Sequence, residues 1–186
     1  MSSPHIEFSH VGIFVRDMDA MVEFYQRVLG LVVTDRGFLP GRELTFMSRN
    51  TREHHQVVLA SGRTGDAQDK VINQISFRVP SLEELQQMFT WLPEHSDPAR
   101  FRAINHGHAW TLYIHDPEGN RVELFVDTPW YIAQPCAEPL DLGLPTDEIR
   151  RQTEALCRSD PSFQPAEVWR ARVAERIRQG AAAAAT

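Results

Sequence analysis

The residues best suited to chemistry in this chain of 186 residues are a histidine, a glutamine and a glutamate on strand-like segments. His10 opens the alternating run Val11-Gly12-Ile13-Phe14-Val15. Val11, Ile13 and Val15 share one face of such a strand, and His10 shares the other with Gly12. About 64 residues further, Ile72-Asn73-Gln74-Ile75-Ser76-Phe77-Arg78-Val79 repeats the design and puts Gln74 where His10 stands. Glu123 lies on a later strand, on the face opposite Val122 and Leu124 and in company with Phe125. A carboxylate between apolar neighbours is costly to bury unless a partner offsets its charge, and a metal ion is such a partner. A lone strand histidine is more often an ordinary core or edge residue, and a lone carboxylate an exposed one. The equivalence of His10 and Gln74 is what points to a site.

These residues need elements to position them, and the sequence reads as one βαβββ unit used twice. Each opening strand leads into a helix with a start signal. Asp17 is placed to accept from the free amides of the first helix, whose stripe is Met21, Phe24, Tyr25, Val28 and Leu29, closed by Gly30. Ser81 and Glu84 form a capping box for the second, whose stripe is Leu82, Leu85, Met88, Phe89 and Leu92. Strands are expected at Val32–Asp35, Glu43–Ser48 and His54–Ala60 in the first copy. The second copy has them at Ala103–Ile104, Ala109–His115 and Arg121–Phe125. Asp116-Pro117-Glu118-Gly119-Asn120 is a turn that makes the last two a hairpin, and Ser61–Lys70 is a polar linker.

The expected fold class is therefore α+β: two tandem βαβββ units forming a cup, with extra C-terminal helices. Residues 1–130 would be a single domain, with repeats at about 6–60 and 71–126, and 131–186 would add a wrap and helices. The Pro-rich stretch from Thr128 to Pro145 is expected to wrap the surface, followed by helices beginning near Thr146 and Pro165. Gly180 and the alanine run are expected to be a frayed end.

Composition narrows the function. Lys and Arg number 19 against 25 Asp and Glu, a formal charge of −6. An acidic chain lacks the basic surface that nucleic acid or anionic lipid requires, so neither is an expected partner. Two cysteines, Cys136 and Cys157, exclude a disulfide scaffold and a zinc knuckle. No apolar run reads as a signal peptide or a membrane span, and a cytoplasmic location is expected.

The pattern His10-Val11-Gly12-Ile13-Phe14-Val15, Phe24-Tyr25 and Val28-Leu29-Gly30-Leu31, with Asp116-Pro117-Glu118-Gly119-Asn120-Arg121-Val122-Glu123 near the end, resembles the vicinal oxygen chelate superfamily. That superfamily includes glyoxalase I, bleomycin-resistance proteins and type I extradiol dioxygenases. The chain looks most like the one-domain extradiol dioxygenases acting on biaryl diols. Arg52-Glu53-His54-His55 resembles their paired-histidine segment, which implies that His55 is the active-site acid/base. Tyr113 matches their substrate-binding tyrosine, and His106, by a looser match, a further active-site histidine. The segment Thr128-Pro129-Trp130-Tyr131 also looks dioxygenase-like. His5, His95, His108 and His115 match no role and read as surface or turn residues.

The resemblance implies catalytic His55, Tyr113 and His106, and a metal held by His10, Gln74 and Glu123 at the floor of the cup. The metal would be divalent, Fe(II) foremost, with Mn, Zn or Ni as alternatives. It would chelate a catecholic or biaryl-diol substrate and bind O₂, while Phe8, Phe14 and Phe125 wall off water. The implied activity is extradiol ring cleavage, with a small aromatic substrate and O₂ as partners and a homo-oligomer, dimer or larger, as the assembly. The departure is Gln74, where the dioxygenases have a second histidine, since an amide oxygen is a weaker donor to iron. It leaves open a non-catalytic protein that binds or sequesters an aromatic ligand. A glyoxalase-like isomerase or lyase fits less well, because no carboxylate stands near Val57-Val58.

Overall fold

The computed structural model describes residues 7–65 and 72–183, without the side chains of 180–183. His5, residues 66–70 of the expected linker and the last three residues of the chain lie outside the described residues. The described chain is α+β. The first copy of the repeat forms β1 (Val11–Val15), α1 (Met18–Arg27), β2 (Val32–Leu39), β3 (Arg42–Ser48) and β4 (Val57–Ser61). The second forms β5 (Ile75–Arg78), α2 (Leu82–Trp91), β6 (Arg102–Asn105), β7 (Ala109–His115) and β8 (Arg121–Asp127). After these come β9 (Trp130–Tyr131), β10 (Glu138–Pro139), α3 (Thr146–Ser159), β11 (Gln164–Pro165) and α4 (Ala166–Ala183).

The duplication is visible in the sheets. One has the order β1-β4-β3-β2, with β1 and β4 parallel. In the other, β10-β6-β7-β8-β5, the strands of the second copy keep that same sequence of neighbours. The start signals act as expected. Asp17 accepts from the Ala20 amide at 3.0 Å and Ser81 from the Glu84 amide at 3.2 Å. Each satisfies one of the amides that a helix leaves unpaired. The apolar face of α1 buries Met18, Met21, Val22, Phe24 and Tyr25, and Gly30 turns the chain with φ +67°.

The chain divides into two compact units. One comprises Glu7–Ile75 and His115–Val122, and the other Ser76–Ile114 and the described part of Glu123–Thr186. The Asp116–Asn120 turn thus belongs with the first copy. There Glu118 accepts from the Asp17 amide at 2.9 Å and pairs with Arg63 at 3.0 Å. In the other unit, Thr153 of α3 is fully buried and accepts from Trp110 Nε1 at 2.7 Å and Asn105 Nδ2 at 2.9 Å.

Several boundaries differ from expectation. β4 starts at Val57, so His54 and His55 lie in the bend ahead of it. β5 covers only Ile75–Arg78, and β2 runs four residues further than expected, to Leu39. The Pro-rich stretch is more than a wrap. It supplies β10 at a sheet edge, where a proline costs no ladder bond, and it buries Ile132 and Leu142. The expected frayed end is helical through Ala183, in keeping with the helix propensity of alanine.

Candidate functional site

His10 and Gln74 each stand one residue ahead of their strands, β1 and β5, so their equivalence survives in the structure. The His10 ring lies against that of His55, with centroids 4.3 Å apart. Ser9 fixes the tautomer of His10. The Ser9 hydroxyl donates to Glu53 Oε2 at 2.7 Å, so its oxygen must accept from His10 Nδ1 at 3.2 Å. The lone pair of His10 then sits on Nε2, the form a metal ligand needs. His55 is half-buried, and its pKa is lowered first by burial and then by the neighbouring His10 and His54.

In the other unit, His106 Nδ1 is 2.5 Å from the Cys136 carbonyl, and Nε2 is 3.1 Å from the Tyr113 hydroxyl. A carbonyl only accepts, so Nδ1 carries the proton and the neutral ring accepts from Tyr113 at Nε2. Tyr113 is half-buried and is oriented by His106. The turn carrying His106 is clamped. Asn105 Oδ1 accepts from the Gly107 amide at 2.9 Å, and Thr128 donates to the Gly107 carbonyl at 2.6 Å.

Glu123 on β8 is buried, only 9% exposed. Its carboxylate accepts from the Thr111 hydroxyl at 3.3 Å and from the Ser76 hydroxyl. Both donors are neutral hydroxyls that orient the carboxylate. His108, in the turn ahead of β7, is half-buried and feels the field of Glu123. Burial lowers its pKa. His115 is likewise half-buried, at the end of β7. The signal for His108 was its place two residues after His106 in the turn ahead of β7. His95 stacks on Trp91 with centroids 3.7 Å apart, an ordinary helix-end contact.

The expected aromatic wall is less uniform. Phe8 is 87% and Phe14 51% exposed, with the Arg42 guanidinium 4.5 Å from the Phe14 ring. Phe125 is half-buried, with Arg78 at 4.6 Å. Tyr131 stacks on Trp169 of α4 at 4.9 Å.

Residues 7–124 match the model of the Glyoxalase/Bleomycin resistance protein/Dioxygenase superfamily, and the chain belongs to that superfamily. It is 26% identical over 175 residues to biphenyl-2,3-diol 1,2-dioxygenase 3 of Rhodococcus globerulus, across 90% of this chain and 84% of that protein. Among solved structures it is similar to a glyoxylase/bleomycin resistance protein/dioxygenase domain from Frankia sp. EAN1pec. The TM-score is 0.57 and the identity 20%, over 67% of this chain and all of that one. It is also similar to a trypanothione-dependent glyoxalase I from Leishmania major. There the TM-score is 0.49 and the identity 21%, over 66% of this chain and 87% of that one.

His10 and Gln74 belong to one compact unit and Glu123 to the other, and each is of a donor type that divalent cations accept. His10 has its lone pair on Nε2, Glu123 is a buried and oriented carboxylate, and Gln74 is half-buried. Imidazole nitrogen and carboxylate oxygen suit a first-row dication better than a thiophilic one. Among the described residues no group of three or more His, Cys, Asp or Glu could hold a metal.

Proposed function

We propose that this protein is a metal-dependent extradiol dioxygenase that cleaves the ring of a catecholic or biaryl-diol substrate. The observation that supports this most is His55 held against His10, a potential base beside a histidine in its ligand tautomer. The similarity to the Rhodococcus enzyme adds weight. An alignment of 175 residues must extend past residues 7–124 into the C-terminal elements.

His10, Gln74 and Glu123 would hold the metal, with Fe(II) the foremost choice. The chemistry a divalent ion supplies is Lewis acidity at the diol oxygens and a binding position for O₂. His55 accepts a proton from the diol hydroxyl and returns it later in the cycle; its lowered pKa keeps the ring neutral and ready to accept at neutral pH. Tyr113, oriented by His106, would hydrogen-bond the substrate. Ser76 and Thr111 keep the Glu123 carboxylate in place while the substrate exchanges.

Gln74 favours a second reading, a protein that binds an aromatic ligand without turnover. Oxygen uptake separates the two. Protein purified anaerobically and loaded with Fe(II) is expected to consume O₂ with at least one member of a catechol and biaryl-2,3-diol panel, and the metal-free form to consume none. Gln74→His should raise iron retention and turnover, because imidazole is the stronger donor to iron. Ligand binding without metal or oxygen consumption would establish the second reading.

A further inference from the structure

We propose that Asp35 and His54 are positioning residues, forming a hydrogen-bonded row Asp35–His54–His55 that fixes which ring nitrogen of His55 carries the proton. Asp35 Oδ2 lies 2.7 Å from His54 Nε2, and His54 Nδ1 lies 2.9 Å from His55 Nδ1. An ionised carboxylate only accepts, so His54 Nε2 is the protonated nitrogen. In the tautomer with its proton on Nε2, His54 presents a lone pair at Nδ1, and His55 donates from its own Nδ1. The lone pair of His55 is left on Nε2. The row delivers His55 as a base at one defined nitrogen, and no proton needs to move along it.

The backbone is shaped to make this row. Between β2 and β3 the register shifts at a bulge between Val33 and Asp35: Val33 pairs with Met47, but Asp35 pairs with Phe46. Were Thr34 paired in a regular ladder, it would face Phe46 and Asp35 would stand opposite Thr45, whose side chain is fully buried. Directly opposed residues point to the same face. The bulge therefore turns Asp35 from the core side to the face of Phe46, as bulges commonly re-aim a side chain. The Phe46 ring packs on both imidazoles, with centroids 5.9 Å from His54 and 5.1 Å from His55. Asp35 and His54 are 65% and 57% exposed, so structural packing gives little reason for the row.

The inference rests on the proposed role of His55, and the test reads the row separately from that role. In protein labelled with ¹⁵N-histidine and free of metal, the Nδ1 and Nε2 shifts should show His55 protonated at Nδ1. Asp35→Asn should convert this to a mixture of tautomers, and Asp35→Glu should restore most of it. In the Fe(II)-loaded enzyme, Asp35→Asn should lower kcat about 10-fold to 100-fold with KM for the diol little changed, by analogy with outer-shell partners of active-site histidines. A His55 tautomer unaltered by Asp35→Asn overturns the row, and an altered tautomer with unchanged kcat overturns its positioning role. A tautomer shift in a protein that consumes no O₂ with any diol keeps the row and sinks the dioxygenase reading instead.

Discussion

Two buried oxygens illustrate what single residues contribute. The Tyr25 hydroxyl sits in the packed face of α1 with no hydrogen-bond partner among the described residues. Burial, with Asp116 and Glu118 nearby, raises its pKa. An unpaired buried hydroxyl costs about 1–3 kcal/mol relative to an apolar group of the same shape. Tyr25→Phe is therefore expected to leave urea stability unchanged or to raise it by about 1 kcal/mol. A loss of that size would mean the hydroxyl has a role the packing does not reveal. Glu123 is the opposite case, because the Ser76 and Thr111 hydroxyls donate to it. Alternation on β8 made Glu123 legible in the sequence. Its two hydroxyl partners were not, since they come from different strands.

At the scale of elements, the turn between β6 and β7 is where the site depends most on backbone shape. Gly107 has φ +73°, and a Cβ there would lie 2.5 Å from Ile132 Cδ1 and 3.3 Å from Cys157 Sγ. Both neighbours are buried, so neither can move freely aside. Gly107→Ala combines a left-handed conformation costing about 1–2 kcal/mol with this overlap. The expected result is a thermal midpoint lowered by several degrees and a weakened His106–Tyr113 bond. An unchanged midpoint would show that the turn relaxes. The sequence marked His106 as a candidate but carried no sign of this clamp. Thr153, which props Asn105, lies 48 positions further along the chain. The bulge at Thr34 was likewise invisible, because β2 reads as an ordinary exposed strand.

For the whole molecule, the turn Asp116–Asn120 shows how distant segments are combined. It belongs to the second copy in sequence, yet Glu118 pairs with Arg63 there, the two side chains only 7% and 11% exposed. Removing one partner of a buried pair leaves an uncompensated charge and costs about 3–5 kcal/mol. Glu118→Ala should show that loss in chemical denaturation, whereas replacing both partners together should cost less. Asp116 adds a dependence on pH. Burial raises its pKa above the ordinary 3.8, although amides of Glu118 and Asn120 bond to it. The folded state thus holds this proton more tightly than the unfolded chain does. The associated stability is full below pH 3.8 and is lost as pH rises through the raised value. Relative to Asp116→Asn, the wild-type protein should lose denaturant stability across that window; a difference curve that is flat or of opposite sign would contradict the shift.

The sequence alone determined the repeated βαβββ plan, the helix starts at Asp17 and Ser81, and the equivalence of His10 with Gln74. All of these are written in local periodicity, capping chemistry and a repeat, which neighbouring residues settle among themselves. Tertiary structure decided which nitrogen of His10 is left for a ligand, that Tyr113 is oriented by His106, and that Asp35 faces His54. Each of these depends on a hydrogen bond or register between different strands and turns, and such pairing is fixed only when the sheets form.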